Sequence, residues 1–140
     1  MKKILIVENN PIVVKVWSKF FKNNGYEVLF AHHAPEAITL LRDNPADLVL
    51  LDLRLNGITP SGMEVFAFMR GGSCRNVPVT FITGLTGDTD LYQQAKQAVD
   101  NDASKGIFTR IIQKPIAIKD LLETIKEMEN YAEIQACACS

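Results

Sequence analysis

Apolar residues recur in five short runs along the chain, separated by stretches that carry helical spacing and turn residues. Each run is rich in Val, Ile and Leu, which predicts a β-strand. The third run, "DLVLL", has no polar interruption before its end, as expected for a central parallel strand that is covered on both faces. The predicted strands span 3–7, 26–31, 47–51, 77–83 and 108–112.

Between these strands, apolar residues repeat at helical spacing. In the first such stretch, Asn10 can cap a helix, Pro11 suits its first turn and Gly25 is a natural stop. Five strands that alternate with five helices predict an α/β domain with a parallel sheet between two helical layers. The predicted helices lie within 10–25, 35–43, 61–70, 88–102 and 118–131.

Composition narrows the class of protein. The chain has 140 residues, of which 47% are hydrophobic and 22% charged, as in an ordinary globular domain. Its net charge of −1 gives no electrostatic reason to expect nucleic acid or an anionic membrane as a partner. The apolar run in "MKKILIVENN" stops at Glu8, too early for a signal peptide, and no stretch approaches a membrane span. We therefore predict a cytoplasmic protein.

The three cysteines do not form a disulfide framework, because they are few and odd in number. Cys137 and Cys139 lie at the extreme C-terminus without a histidine beside them, which favours a frayed tail over a metal site. We predict one domain over 1–131 and a tail over 132–140 that is either disordered or an extension of the last helix.

Polar residues follow four of the predicted strands at the edge where a parallel sheet binds ligands. Glu8 and Asn9 follow the first strand, Asp52 the third, Thr83 ends the fourth, and Lys114 follows the fifth. Each alone has an ordinary explanation as a helix cap, a turn residue, a strand residue or a solvated lysine. Their joint occurrence at successive strand ends predicts a functional site at this edge.

The residue types suit phosphoryl transfer. An aspartate can attack phosphorus and carry an acyl phosphate, and the reaction needs mainly positioning and cations on the phosphoryl oxygens. Mg²⁺ takes carboxylate and amide oxygens as ligands, and a lysine supplies a second positive charge. A threonine hydroxyl can hydrogen-bond to a phosphoryl oxygen and so report its presence.

Five segments resemble, in order, the motifs of the response-regulator receiver domain of two-component signalling: "KILIVENN", "DLVLLDLRLNG", "SGMEVF", "VPVTFITG" and "IIQKP". The resemblance spans roughly residues 2–130. It implies a (βα)5 flavodoxin-like, doubly wound parallel sheet of strand order 2-1-3-4-5. It also implies that Asp52 is the phosphoacceptor, that Thr83 is the switch hydroxyl, and that Lys114 precedes a cis-bonded Pro115.

The same resemblance implies a cofactor and partners. Mg²⁺ would be held by Glu8, Asn9, Asp52 and the backbone carbonyl of Arg54. A sensor histidine kinase or phosphotransfer protein would supply the phosphoryl group, and output would pass to an unidentified protein by contact. The face of helix four, strand five and helix five is the candidate homodimer surface. The domain would be an autocatalytic phosphoacceptor at most, rather than a metabolic enzyme.

The sequence departs from the family pattern at several positions. Asn9 replaces a carboxylate, which predicts weaker Mg²⁺ binding and slower phosphorylation. Ile111 replaces an aromatic residue, so a coupled Tyr/Thr switch cannot operate in its usual form. The loop after Asp52 is longer and has Asn56 in place of a proline. Residues 99–106 extend the fourth helix or the loop after it, which suggests an unusual partner or dimer face.

Three functions follow from these patterns. The leading hypothesis is a stand-alone receiver that is phosphorylated on Asp52. A pseudo-receiver, which keeps the fold and binds proteins without phosphate, is favoured by Asn9 and Ile111 and opposed by Asp52, Thr83 and Lys114. An enzyme on a similar fold fits least: an aspartate-dependent phosphohydrolase has its nucleophile after the first strand, and no GxxxxGK[ST] loop is present.

Overall fold

A computed structural model describes residues 2–53, 62–72, 74–84, 87 and 89–139, with side chains to Ala132. Five strands alternate with five helices, as predicted. In chain order they are β1 (Lys3–Val7), α1 (Pro11–Asn23), β2 (Glu27–Ala31), α2 (Ala34–Asp43), β3 (Leu48–Asp52), α3 (Gly62–Arg70), β4 (Val79–Thr83), α4 (Asp90–Ser104), β5 (Thr109–Gln113) and α5 (Ile118–Cys139).

The five strands form one parallel sheet in the order β2-β1-β3-β4-β5, which confirms the predicted topology. The register aligns the carboxyl ends of the inner strands. Val7 pairs with Leu51, Asp52 with Ile82, and Thr83 with Gln113. Residues that follow β1, β3, β4 and β5 therefore meet at one edge of the sheet, while β2 and β5 are its outer strands.

Hydrophobic cores fill both faces of the sheet. Leu5 and Phe81 face one core, beneath α2, α3 and α4, whereas Ile4 and Ile82 face the other, beneath α1 and α5. Every residue of β3 and β4 is buried, which explains the unbroken apolar run in the sequence. Among the described residues, no helix is both long and apolar enough to span a membrane.

The region before β5 that the sequence analysis predicts to be extra material, 99–106, is helical for most of its span. Residues 99–104 form the last part of α4, Lys105 caps the helix, and Gly106 turns the chain with a φ of 73°. The helix α5 continues to Cys139. The predicted long loop after Asp52 falls at 54–61, outside the described residues.

A buried charged group that the sequence did not point out lies at the amino edge of the sheet. We call Arg70, Asp102 and Thr109 the amino-edge cluster. Nε of Arg70 donates to Oδ2 of Asp102 at 2.9 Å, and the hydroxyl of Thr109 donates to the same oxygen at 2.6 Å. The remaining guanidinium nitrogens of Arg70 donate to Thr109 and to the carbonyls of Cys74 and Val77. The cluster joins the ends of α3 and α4 to the start of β5.

Candidate functional site

Three of the predicted site residues meet at the carboxyl edge of the sheet, where Lys114 contacts the other two. Nζ of Lys114 donates to Oε2 of Glu8 at 3.0 Å and to Oδ2 of Asp52 at 3.2 Å. Glu8 is 2% exposed and Asp52 is 6% exposed, so both carboxylates are withdrawn from water while the lysine side chain stays 33% exposed. We call Glu8, Asp52 and Lys114 the carboxyl-edge cluster.

Backbone hydrogen bonds hold the strand ends that carry this cluster. The amide of Lys114 donates to the carbonyl of Thr83 at 2.8 Å, so the fifth strand end is tied directly to the fourth. The amide of Glu8 donates to the carbonyl of Ala31 at 3.0 Å. The Lys114–Pro115 peptide is cis, as the resemblance implied. Thr83 is itself fully buried at the end of β4.

Helix capping near the site is performed by Asn10. Its side-chain oxygen accepts from the amides of Ile12 and Val13, at 3.0 and 3.4 Å. The amide of Asn10 donates to Oε1 of Glu8 at 3.2 Å. The carboxylate of Glu8 is therefore oriented by Lys114 on one oxygen and by the backbone on the other, and it does not cap α1. Asn9 lies between these two residues and is half-buried.

Gly62 is a positioning residue that sequence reasoning missed. A Cβ atom at this residue would lie 2.2 Å from the backbone carbonyl oxygen of Asp52. This distance is a steric clash that only a movement of the backbone could relieve. Its amide also donates to the carbonyl of Leu53 at 2.9 Å. The glycine at the start of the "SGMEVF" helix was the available signal, because close backbone approach requires a residue without Cβ.

The electrostatics of the cluster favour a charged lysine. Burial alone lowers the pKa of Lys114, but the hydrogen bond to Glu8 and the negative charges of Asp52 and Glu8 outweigh that effect and raise its pKa above the usual value. Lys114 is therefore an ammonium throughout the physiological range. Two carboxylates and one ammonium leave the cluster with a formal charge of −1.

The oxygen donors of this edge fit a divalent cation. Glu8 and Asp52 offer carboxylate oxygens, and Asn9, the next residue after Glu8, carries an amide oxygen; Mg²⁺ accepts both types of ligand. In the part of the chain that the structure describes, no group of three or more acids, histidines or cysteines is placed to hold a metal ion. The edge therefore supplies Glu8 and Asp52 as a pair of carboxylates, which suit Mg²⁺ in kind. Arg54, the predicted carbonyl ligand, lies outside the described residues.

Other residues that the sequence analysis considered lie elsewhere. His33 caps α2, accepting from the amide of Glu36 at 3.3 Å, and it takes no part in the site. Ile111 pairs with Phe81 across β4 and β5 and is half-buried. The position that holds an aromatic residue in the resembled family is thus occupied by an aliphatic side chain next to a buried phenyl ring.

Comparison with known proteins agrees with this geometry. The chain matches the response regulator receiver domain family over residues 4–126. It is 30% identical over 128 residues to the polar-differentiation response regulator DivK of Brucella anthropi, covering 89% of this chain and 94% of that protein. The same identity and coverage hold for DivK of Brucella ovis. The chain therefore belongs to the response regulator receiver domain family.

Solved structures show the same fold. A response regulator receiver domain from Clostridium thermocellum superposes with a TM-score of 0.78 at 23% identity, covering 96% of this chain and 99% of that one. The receiver domain of a modulated diguanylate cyclase from Desulfovibrio desulfuricans gives a TM-score of 0.77 at 26% identity, with 96% and 98% coverage. Both resemble this chain in overall fold.

Proposed function

We propose that this receiver accepts a phosphoryl group on Asp52 from a histidine kinase or phosphotransfer protein and signals by binding another protein. The observation that carries the proposal is the contact of Lys114 with both Asp52 and Glu8. It places an ammonium beside a buried carboxylate at a sheet edge where ligands bind in open α/β folds. Family membership supplies the reaction class, since receivers are signalling modules of two-component systems.

In the proposed reaction, a carboxylate oxygen of Asp52 attacks the phosphorus of the donor. A new P–O bond forms on Asp52, and the bond from phosphorus to the donor breaks with its electron pair leaving on the donor. Lys114 stabilises negative charge on the phosphoryl oxygens, and burial strengthens that interaction. The hydroxyl of Thr83, at the end of the neighbouring strand, would then hydrogen-bond to the bound phosphoryl group.

Mg²⁺ is the proposed cofactor of this site. Glu8, Asn9, Asp52 and the carbonyl of Arg54 would hold it, and when bound it supplies positive charge to the phosphoryl oxygens. Because Asn9 contributes an uncharged oxygen, we infer that the affinity for Mg²⁺ is lower than that of a site with three carboxylates.

The finer parts of the proposal concern the partners. We propose a stand-alone, cytoplasmic receiver whose domain spans 1–131, with output through protein contact and with the α4–β5–α5 face as the candidate homodimer surface. The end of α4 over 99–104 is held in place by Asp102, so the lengthened segment would present a firm surface to a partner.

A pseudo-receiver that binds proteins without phosphate is the second candidate. Asn9 removes one acid from the metal site, and Ile111 removes the aromatic partner of the threonine switch. This candidate predicts the same protein contacts in the presence and absence of a phosphodonor.

Intact-mass analysis after incubation with acetyl phosphate and Mg²⁺ distinguishes the two candidates. We expect the mass of one phosphoryl group to be added to the native chain, to be lost on omission of Mg²⁺, and to be absent from Asp52→Asn. Asp43→Asn is the matched control, because Asp43 is an exposed aspartate at the end of α2. An unmodified native chain, under conditions that modify an ordinary receiver, would reject phosphorylation and favour the pseudo-receiver.

A further inference from the structure

A groove of about 550 Å³ lies between α1 and the outer strand β2. β2 is an edge strand, and α1 covers its end incompletely. Apolar side chains of the sheet are therefore exposed and form the floor of the groove. Phe30 belongs to the sheet face that packs against α1 but is 44% exposed, and the ring of His32 meets it edge-on at 5.4 Å. Val14 completes the apolar lining from the helix side.

The rim of the groove is cationic. Lys15, Lys19 and Lys22 all line it from α1, and α1 contains no aspartate or glutamate that could offset their charge. Lysine side chains spread their methylene stems over apolar surface and keep the ammonium at its border. The groove therefore combines an apolar floor with positive charge along one side.

Ser18 marks imperfect packing in the wall beside this groove. It borders the groove from α1 and is only 8% exposed. Its Oγ is enclosed by the protein and has no hydrogen-bond partner among the residues that the structure describes. Because the hydroxyl is enclosed, it offers no contact to a ligand in the groove, and its unpaired state lowers stability.

From the apolar floor and the cationic rim we propose that the α1–β2 groove binds a small amphiphilic anion, with an apolar or aromatic body and a single carboxylate or sulfonate. The body packs on Phe30 and Val14, while the head meets the lysine rim. The volume lies in the range of small-molecule sites, which are mostly apolar with a few polar groups that orient the ligand. This site is separate from the carboxyl-edge cluster, and it does not depend on phosphorylation of Asp52.

Titration of the full chain with 8-anilinonaphthalene-1-sulfonate, followed by fluorescence, tests the proposal. We expect saturable binding at physiological ionic strength and a loss of affinity of about fivefold or more in the Lys15→Gln, Lys19→Gln double variant and in Phe30→Ala. Lys105→Gln and Ile12→Ala are matched controls, because both side chains are exposed and neither lines the groove. Decanoate should displace the probe and decanol should displace it poorly.

Ser18→Ala is a third control, because its hydroxyl is enclosed beside the groove. Removal of this unpaired hydroxyl should raise the midpoint of urea unfolding of the free protein and leave probe binding unchanged. No saturable binding, or equal affinity in the groove variants and the controls, would overturn the proposal. Equal displacement by decanoate and decanol would also overturn it, because it would show an apolar surface without an anion site.

Discussion

The two buried charged clusters at opposite edges of the sheet differ in how completely their charges are matched. In the amino-edge cluster, one guanidinium faces one carboxylate, and Nε and both terminal nitrogens of Arg70 donate to the protein. In the carboxyl-edge cluster, a single half-buried ammonium faces two buried carboxylates. The first cluster is neutral and closed. The second keeps a formal negative charge, which suits the Mg²⁺ that we propose to bind there.

This difference separates structural from functional use of the same chemistry. A buried ion pair whose hydrogen bonds are complete specifies how elements join, and its loss leaves an uncompensated charge. A cluster with more negative than positive charges stabilises the fold less. However, its electrostatic energy changes when a charged ligand binds. We therefore expect substitutions in the amino-edge cluster to lower stability more than phosphorylation. Substitutions in the carboxyl-edge cluster should lower phosphorylation more than stability.

The largest effect on stability is expected from Arg70→Met. This change leaves the carboxylate of Asp102 buried without a cation and removes the donors to Cys74 and Val77, so the free energy of unfolding should fall by about 3 kcal/mol. Urea denaturation measures it, with Arg75→Met as the exposed control. Labelling of Asp52 in the folded variant should be unchanged. Impaired labelling would contradict the separation of roles.

Lys114→Met should lower phosphorylation more than it lowers stability. Because the lysine side chain is 33% exposed and partly screened by water, we expect a loss of only about 1–2 kcal/mol in stability. Labelling by acetyl phosphate should fall by about tenfold or more, since the ammonium no longer stabilises the phosphoryl oxygens. Lys119→Met, an exposed change on α5, is the control. Normal labelling in Lys114→Met would remove this residue from the proposed reaction.

Asn9→Asp sharpens the comparison by making the carboxyl-edge cluster more negative. The affinity for Mg²⁺, measured by isothermal titration calorimetry, should rise by about tenfold, because a carboxylate replaces a neutral ligand. Stability without Mg²⁺ should fall slightly, since the added charge repels Glu8 and Asp52. Asn101→Asp on α4 controls for charge alone. Unchanged Mg²⁺ affinity would exclude Asn9 from the metal site.

The smallest effect is the pH dependence that Lys114 contributes. Its folded-state pKa is raised above 10.5, so the unfolded chain releases this proton first as the pH rises. The stabilisation by Lys114 is fully present below pH 10.5 and is lost as the pH rises through the folded-state pKa of the lysine. The difference in unfolding free energy between the native chain and Lys114→Met should be constant near neutrality and shrink above pH 10.5. A difference that grows with pH would contradict the contacts of Lys114.

Tyr26 also contributes stability that is lost as the pH rises. The difference between the native chain and Lys114→Met removes this contribution. Burial raises the pKa of its phenol, and so does its hydrogen bond to Glu129, at 2.7 Å. Its contribution is present in both proteins, so it drops out of the difference.

Much of the fold could be predicted from the sequence because its signals are local. The apolar run that ends at Asp52, the cap at Asn10 and the helical spacing in α1 each depend on residues within one or two turns. Several boundaries differ by one or two residues: α4 begins and ends two residues later than predicted, and β4 begins at Val79 rather than at Val77. The ends of helices and strands fray, so local sequence signals place them only to within a residue or two. The extension of α5 beyond 131 is one of the two alternatives predicted for the tail.

The candidate site was predictable for a different reason. Parallel strands that follow one another through helices must place their carboxyl ends at one edge, so residues just after each strand meet there. Gly62 was missed because a close backbone approach leaves no trace in local periodicity. Arg70 and Asp102 were missed because their pairing joins residues 32 positions apart.

The sequence by itself determined the order of elements, the edge where Glu8, Asp52, Thr83 and Lys114 gather, and the family to which the chain belongs. Only the tertiary structure decided that one ammonium spans two carboxylates, that Asp102 anchors the end of α4, and that Phe30 forms the floor of a groove with a cationic rim. The physical reason is that strand and helix signals depend on residues that are close in sequence. Charge pairing and incomplete coverage of an edge strand depend on distances that are set only when the elements pack.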